Sequence, residues 1–260
     1  MMKEKYEYVE IPPAGLLKKH IKHFYIFNSG DVNPERILPL GTVEITVNFN
    51  SGGNEVLITN PGTKSYFVVP RALNKMVGIC FQPWGLYGLF RLSPAEIATS
   101  KFPLQDVLQP HFRELIHRVQ DNGDPRGIIA TLQHYLLRHG EDQDHEMIRD
   151  LVSQVDKSRG QLQLPDLFKR YYLSPRRLEQ LFERSVGMSV KKYSRLKRFH
   201  FAVTQLKKDT NLTALALNAG YYDQPHFIHE FGEFAGVSPR AFLKESNALN
   251  GINARSWFRR

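Results

Sequence analysis

Cysteine is nearly absent from this sequence of 260 residues, since Cys80 is its single example. A disulfide within the chain and a zinc site built from several cysteines are therefore excluded. No stretch approaches the roughly 18 apolar residues that a membrane span needs, and the start of the chain lacks the apolar core of a signal peptide. These absences predict a protein of the reducing cytoplasm with no membrane partner.

Acidic residues are scarce in the last hundred residues, which hold 17 Lys+Arg against 8 Asp+Glu, whereas the first 160 residues hold 18 of each. The net charge of +9 therefore lies entirely in the C-terminal part. Such a one-sided excess is typical of a domain that binds a polyanion. A basic solvated surface is the alternative that charge alone leaves open.

Residues 1–110 have the pattern of a β-rich domain. Polar and apolar residues alternate over 42–49, which places Val43, Ile45 and Val47 on one face of a half-buried strand. Turn-forming residues separate this run from shorter strand candidates, which lie at 56–59, 65–69 and 75–82. Several short strands separated by turns predict a β-barrel or sandwich.

After about residue 110 the apolar residues recur with helical spacing, interrupted at 121–124 and 140–144. From residue 160 onward the pattern is helical until a loose basic tail. We therefore predict an α+β protein of two domains. Its segments are a β-rich sensor or dimerisation domain at 1–110, a helical connector at 111–158, an all-α domain at 159–246 and a basic tail at 247–260.

The all-α segment contains an internal repeat. Residues 164–193 match residues 213–242 at a constant offset of 49, which is stronger evidence than a single motif. Each unit is predicted to be two short helices joined by a tight turn, with Pro165 opening a helix and Ser174 or Asp223 capping the second one. This is the pattern of a helix-turn-helix, whose second helix enters the DNA major groove. The matched pairs are Tyr172/Tyr221, Leu178/Phe227, Phe182/Phe231, Gly187/Gly236, Ser189/Ser238 and Tyr193/Phe242.

Residues 189–208 join the two units and contain neither glycine nor proline. As one helix they would span roughly 30 Å, close to the ~34 Å between successive major-groove faces on one side of the duplex. One chain could therefore place two recognition helices in adjacent grooves. Five basic residues of this segment are suited to phosphate contacts, namely Lys191, Lys192, Arg195, Lys197 and Arg198.

These motifs resemble the AraC/XylS family of transcription regulators. The resemblance covers roughly 160–245 and implies an all-α domain of two helix-turn-helix units, joined by a long helix and bound to promoter DNA. Carried over by motif, the base-contacting positions are Arg176, Glu179 and Gln180 in the first unit and Gln224, Ile228 and His229 in the second. The phosphate-contacting set consists of Ser174, Arg240 and the five basic residues of the linking helix.

The second unit departs from the family pattern at two positions. Position 229 is often Arg in the family and is His here, while Pro225 offers no side-chain hydrogen bond. Arg can pair bidentately with guanine, and Gln with adenine, whereas His is a weaker reader of bases. Because of these two departures, we expect the second unit to contribute mainly contacts to the DNA backbone.

The N-terminal half resembles the cupin-like sensor domains of the same family, on the segments 39–45 and 77–85. This resemblance implies an effector pocket or a dimerisation surface. Aromatic residues in a small β-domain more often form plain core than a pocket. The candidate effector-pocket residues are Arg36, Glu44, Tyr66, Phe81, Trp84 and Tyr87.

An enzyme built on the β-domain is the least favoured function. A metal-dependent site in a barrel needs two or three histidines and a carboxylate, yet residues 24–110 contain no histidine. Cys80 lies between apolar neighbours without a histidine nearby in sequence, and no glycine-rich phosphate loop is present. We therefore predict no catalytic residue, no metal and no cofactor.

Taken together, these patterns predict a sequence-specific DNA-binding transcription regulator that is controlled by a small-molecule effector in its N-terminal domain. The alternative is a ligand-independent regulator whose first domain only dimerises. Double-stranded promoter DNA is the predicted partner. RNA polymerase and a second copy of the chain are further candidates.

Overall fold

The computed structural model describes residues 7–28, 35–50, 53–59, 62, 64–68, 75–96, 118–119, 124–141, 145–163, 170–207 and 209–248. Three sequence predictions lie outside these residues. They are the helix opened by Pro165, the first connector helix around 112–116 and the basic tail from residue 249 onward.

The N-terminal half is built on an antiparallel sheet of five strands in the order β1-β2-β7-β4-β5, beside a two-stranded ladder of β3 and β6. Each strand predicted from alternation or from turn signals is present, with its ends moved by at most three residues. The strands are β1 (Glu7–Ile11), β2 (Ile21–Asn28), β3 (Glu35–Ile37), β4 (Glu44–Asn50), β5 (Gly53–Thr59), β6 (Tyr66–Val68) and β7 (Lys75–Phe81).

One face of this sheet forms a buried core with nearby helices. The predicted apolar face of β4 is correct, because Val43, Ile45 and Val47 are all buried. They pack with a 3-10 helix (Gly15–Lys19), α1 (Gly85–Phe90) and α2 (Pro125–His139). Helix α2 begins at Asp124, whose carboxylate accepts hydrogen bonds from two amides of the first turn.

The next helix, α3 (Glu146–Lys157), packs against the C-terminal helices instead. Its buried residues Ile148, Leu151 and Val155 belong to the helical core, while Ile128 and Leu132 of α2 belong to the core of the sheet. The described helices of the predicted connector therefore divide between two cores. The domain borders drawn from the sequence stay a prediction.

The C-terminal part is helical and repeats at the offset found in the sequence. Its helices are α4 (Pro175–Val186), α5 (Val190–Gln205), α6 (Leu212–Asn218), α7 (Gln224–Ala235) and α8 (Pro239–Ala248). Helices α4 and α7 have 12 residues each, and each ends at a glycine with left-handed backbone. The predicted α+β fold with a helical C-terminal part is confirmed, and α5 is the long helix that joins the parts containing α4 and α7. The first helix of the first unit lies outside the described residues.

Two details of the repeat differ from expectation. Helix α5 has 16 residues, so it spans about 24 Å rather than the longer span predicted from 189–208. It ends where Leu206 turns to extended backbone and buries its side chain. The matched residues Tyr172 and Tyr221 also differ in environment, because Tyr172 is fully exposed whereas Tyr221 is buried.

Candidate nucleic-acid interface

The first recognition helix, α4, presents a polar face to solvent. Ser174 caps the helix by accepting a hydrogen bond from the amide of Arg177 at 3.3 Å. Leu178 and Phe182 are buried on the opposite face. Arg176 and Gln180 are exposed one turn apart, so the predicted base-contacting side chains share a surface that a major groove could receive.

Glu179 lies on the edge of this face and has a structural partner. Its Oε2 accepts a hydrogen bond from the backbone amide of Val190 at 3.1 Å. Val190 is the first residue of α5, so Glu179 satisfies one of the unpaired amides at the start of the linking helix. A contact of Glu179 with a base remains a prediction, and it would compete with this bond.

The second recognition helix, α7, has a less accessible face. Asp223 caps it by accepting from the amide of His226 at 2.7 Å. The side-chain oxygen of Gln224 accepts a hydrogen bond from the Thr213 hydroxyl at 2.6 Å, and Ile228 is partly buried against the helical core. His229 is the exception, with its side chain 77% exposed.

The basic residues of α5 separate into two groups. Lys191 and Lys192 are exposed, as is Arg240 at the position of α8 that repeats Lys191. The other three are bonded to groups from other elements. Arg195 forms ion pairs with Glu230 and Glu233, Lys197 lies 3.0 Å from Asp156, and Arg198 donates to the carbonyl of Gly220 at 3.1 Å.

Glu230 is the centre of this ionic network. Its side chain is only 2% exposed, and its Oε2 lies 2.6 Å from Arg195 Nε and 3.6 Å from Arg198 Nη2. The network connects the linking helix to α7. The phosphate contacts of Arg195, Lys197 and Arg198 stay predictions, while the structure gives these three residues a second role inside the protein.

The residues expected to form an effector pocket do not come together. Phe81 is buried in the sheet core and Trp84 packs with the helical core. Tyr87 is buried under the guanidinium groups of two arginines, and Tyr66 is 45% exposed. Among the six residues, Glu44 is the one that lines the cavity described next.

That cavity, of about 360 Å³, lies between the sheet and the helical part. The sheet side includes residues of β1, β2, β4 and β7. The helical side includes α5 and the end of α3. The lining residues are Glu10, Lys22, His23, Leu40, Thr42, Glu44, Cys80, Gln82, Pro83, Asp156, Arg159, Lys197, His200, Phe201 and Thr204.

Most of these residues were not found from the sequence, because strand pairing and helix packing assemble them. Cys80 lacks a histidine nearby in sequence, yet the pairing of β2 with β7 sets it opposite His23. On its other side β7 pairs with β4, and this pairing sets Cys80 opposite Glu44. The alternating pattern of β4 was the one usable signal, because it placed Glu44 on the face away from the core.

Burial changes the protonation of several cavity groups. It raises the pKa of the Glu44 carboxyl to about 7 and raises the pKa of the Cys80 thiol. It lowers the pKa of His200 well below its usual range, and the charge of Lys197 lowers it further. His200 donates from Nε2 to the carbonyl of Pro39 at 2.7 Å. Near neutral pH the cavity thus offers a neutral imidazole, an intact thiol and a carboxyl that titrates.

The described residues contain no group of three or more His, Cys, Asp or Glu side chains placed to hold a metal ion. None of the helices described has the length and apolar character needed to cross a membrane.

Comparisons with known proteins find two family matches and several similar solved structures. Residues 167–245 match a family described as a helix-turn-helix domain, and residues 9–103 match a domain of unknown function, DUF6597. No curated protein matches the chain significantly. The structure of ToxT from Vibrio cholerae is similar over 96% of this chain and 100% of its own, with 12% identity and a TM-score of 0.43. A ToxT structure bound to (E)-4-(8-methylnaphthalen-1-yl)but-3-enoic acid is similar over 93% and 99%, with 12% identity and a TM-score of 0.41.

The fold and the family match define a DNA-binding transcription regulator of the helix-turn-helix class. More specifically, its C-terminal segment is an AraC-type domain, with two helix-turn-helix units joined by α5. The cupin-like character of the N-terminal half stays a prediction.

Proposed function

We propose that this regulator binds a bipartite promoter site through both units and that a small polar molecule in the cavity controls the binding. The cavity carries the proposal, because its walls come from the β-sheet and from α5. Helix α5 is the element that joins the two recognition units. A molecule in the cavity would therefore touch the sensor side and the DNA-binding side at once.

The control would work through a difference in affinity. Lys197 and His200 project from α5 into the cavity wall, while Lys22 and Glu44 face them from the sheet. A ligand that contacts both sides stabilises the arrangement in which both sides are close together. Such a ligand shifts the population only as far as it binds that arrangement better than any other.

The lining defines the class of ligand. A volume of about 360 Å³ is near the lower end for small-molecule sites. The lining carries acidic groups, basic groups, hydroxyls and an amide, so it suits a compact polar molecule with both donors and acceptors. An apolar ligand would leave the buried Oε1 of Glu44 without a hydrogen-bond donor, which is costly.

Selection of binding sites from a random DNA pool, at physiological salt, tests the DNA-binding part. Enrichment of two half-sites about one helical turn apart, with the stronger base preference in the half-site of the first unit, is the expected result for tandem reading by one chain. Salt-sensitive binding without an enriched motif would contradict sequence-specific reading, or would show that binding requires the effector.

A cavity-filling variant tests the effector part. Compact polar metabolites (amino acids, dicarboxylates and sugar phosphates) would be screened for stabilisation of the wild type against heat. Thr204→Trp fills the cavity and should abolish any such stabilisation. Thr131→Trp is the matched control, because Thr131 is equally half-buried but lies on α2 outside the cavity. Specific DNA binding with no stabilising compound would favour the ligand-independent alternative.

A further inference from the structure

Both recognition helices end against the N-terminal part of the chain, at equivalent points of the repeat. Gly187 ends α4 with φ of 85°, and Gly236 ends α7 with φ of 73°. A Cβ atom at Gly187 would lie 2.8 Å from Cβ of Pro94. A Cβ atom at Gly236 would lie 3.1 Å from Nη1 of Arg36. The N-terminal half therefore touches the same point of each unit.

The contact at α7 satisfies the end of the helix. The backbone amide of Ser65 donates to the carbonyl of Phe234 at 2.8 Å. The Ser65 hydroxyl and Arg36 Nη1 donate to the carbonyl of Ala235, at 2.7 and 2.8 Å. The last carbonyls of a helix lack donors within the helix and carry partial negative charge. The β3–β6 ladder thus supplies both the donors and the cation that this helix end lacks.

Arg36 also reaches the following helix. Its Nε and Nη2 donate to the two carboxylate oxygens of Glu245 on α8, at 3.0 and 3.1 Å. The Arg36 side chain is only 11% exposed. A two-bond fork of this kind fixes orientation as well as distance. One arginine therefore holds α7 and α8 together against the ladder.

At the first unit the contact is made by α1 and by residues on either side of it. Trp84 packs into the helical core, and Arg184 near the end of α4 lies over the ring of Tyr87 at 5.4 Å. Pro94 lies against Gly187. The β-rich half is thereby attached to the C-terminal end of each recognition helix, in addition to the connection through α5.

These contacts leave the DNA-reading surface open. Arg176, Gln180 and His229 are all exposed. The attachments lie at the C-terminal ends of α4 and α7, whereas the predicted base-contacting residues lie in the first half of each helix. The N-terminal half therefore supports the two helices at their C-terminal ends and leaves their DNA-reading face uncovered.

We propose that Arg36 and Ser65 are positioning residues that fix the second recognition helix relative to the first. The brace formed by Arg36, Ser65, Tyr87 and Pro94 sets the distance between half-sites that the protein accepts. This inference rests on the proposed reading of a bipartite site. It assigns to the N-terminal domain a role in spacing that is independent of any ligand.

The test measures affinity of the full-length chain for duplexes in which the selected half-sites are moved apart or together by 1–3 base pairs. Wild type should lose about tenfold or more in affinity at a wrong spacing, a difference of about 1.4 kcal/mol. Arg36→Ala should reduce this discrimination to about threefold or less. Lys64→Ala is the matched control, because it removes the same charge from an exposed position next to Ser65. It should keep the wild-type spacing preference.

Three results would overturn the brace. Unchanged spacing discrimination in Arg36→Ala would show that α5 alone sets the distance. Uniformly weaker binding at every spacing would indicate general destabilisation, and uniformly tighter binding would indicate a cover over the DNA-binding surface.

A cycle of Arg36→Ala and Glu245→Ala, measured by thermal unfolding without DNA, separates this inference from the proposed function. If wild type selects no bipartite site, the proposed function fails. Non-additive losses of stability would still support the contact, whereas additive losses would overturn it.

Discussion

The two helix-turn-helix units share a scaffold but hold their recognition helices differently. In the first unit, α4 is capped by Ser174 and exposes Arg176 and Gln180. In the second unit, α7 is tied along its length. Glu230 fixes its middle to α5, and its final carbonyls are bonded to the β3–β6 ladder.

This difference predicts that the two units contribute to DNA binding in different ways. Exposed polar side chains on a recognition helix can pair with base edges. A helix that is held by several buried contacts is suited instead to a fixed placement on the DNA backbone. The second unit also has Gln224 bonded to Thr213 and Ile228 partly buried. We therefore expect base specificity to come mainly from the first unit. Four predictions test this difference between the two units.

The largest effect is expected for Glu230→Ala. Removing this carboxylate leaves Arg195 and Arg198 without their buried partner, so the free energy of unfolding should fall by about 3 kcal/mol. Glu179→Ala, which removes the bond to the Val190 amide, should cost only about 1 kcal/mol. Chemical denaturation measures both. Equal losses would show that the two recognition helices are held equally firmly.

The next largest effect is expected for Arg176→Ala. This variant should change the affinity for DNA and leave the stability of the fold unchanged. Loss of a bidentate base contact should cost about 2 kcal/mol of binding free energy and relax the preference at one base position. Arg177→Ala, an exposed neighbour, is the control and should leave that preference intact. His229→Ala in the second unit should cost less. A greater loss of specificity from His229→Ala would reverse the proposed difference between the two units.

Tyr171→Phe tests how α3 supports the first unit. The Tyr171 hydroxyl donates to Asp150 Oδ2 at 2.7 Å, which holds the pKa of that carboxyl below its usual range. The bond contributes stability above the pKa that Asp150 has when unfolded, and the contribution is lost as pH falls through the folded pKa. The variant should be about 1 kcal/mol less stable at pH 7. The difference from wild type should vanish in acid.

Unfolding at several pH values measures this effect. Tyr172→Phe is the control, because the Tyr172 side chain is fully exposed, and it should match wild type throughout. A difference that persists unchanged in acid would show that Tyr171 acts through packing and not through the carboxylate.

The smallest effect is expected from the exposed cations at equivalent positions, Lys191 on α5 and Arg240 on α8. Either change to Ala should weaken binding to all DNA sequences alike, by less than about 1 kcal/mol, and lower the salt slope by about 1. Affinity measured across a salt series gives the slope. A change in slope for only one variant would mean that the two units do not approach phosphates in the same way.

Local signals in the sequence were enough to find the helical repeat. Ser174 and Asp223 begin α4 and α7, while Gly187 and Gly236 end them, because a cap oxygen or a left-handed glycine acts within a few residues. The same holds for β4, whose alternation gave the correct buried face. Tyr172 and Tyr221 match in sequence but differ in burial, because the environment of a turn residue depends on what packs over it.

The candidate site was less predictable than the fold. The run of cations on α5 contains no acid, so it was read as one phosphate-contacting surface. The acids that neutralise part of it come from other elements, Asp156 on α3 and Glu230 on α7. Arg36 was expected in an effector pocket, but it is bonded to Glu245, more than two hundred residues along the chain.

The class of the protein, the helical repeat and the excess of positive charge in the C-terminal part can be read from the amino-acid sequence. These properties follow from composition and from contacts between near neighbours in the chain. Three-dimensional packing sets which cations of α5 are exposed, which residues share the cavity and where the β-rich half is attached to the recognition helices. Each of these depends on side chains from distant segments meeting at hydrogen-bond distance, and a linear pattern does not record such distances.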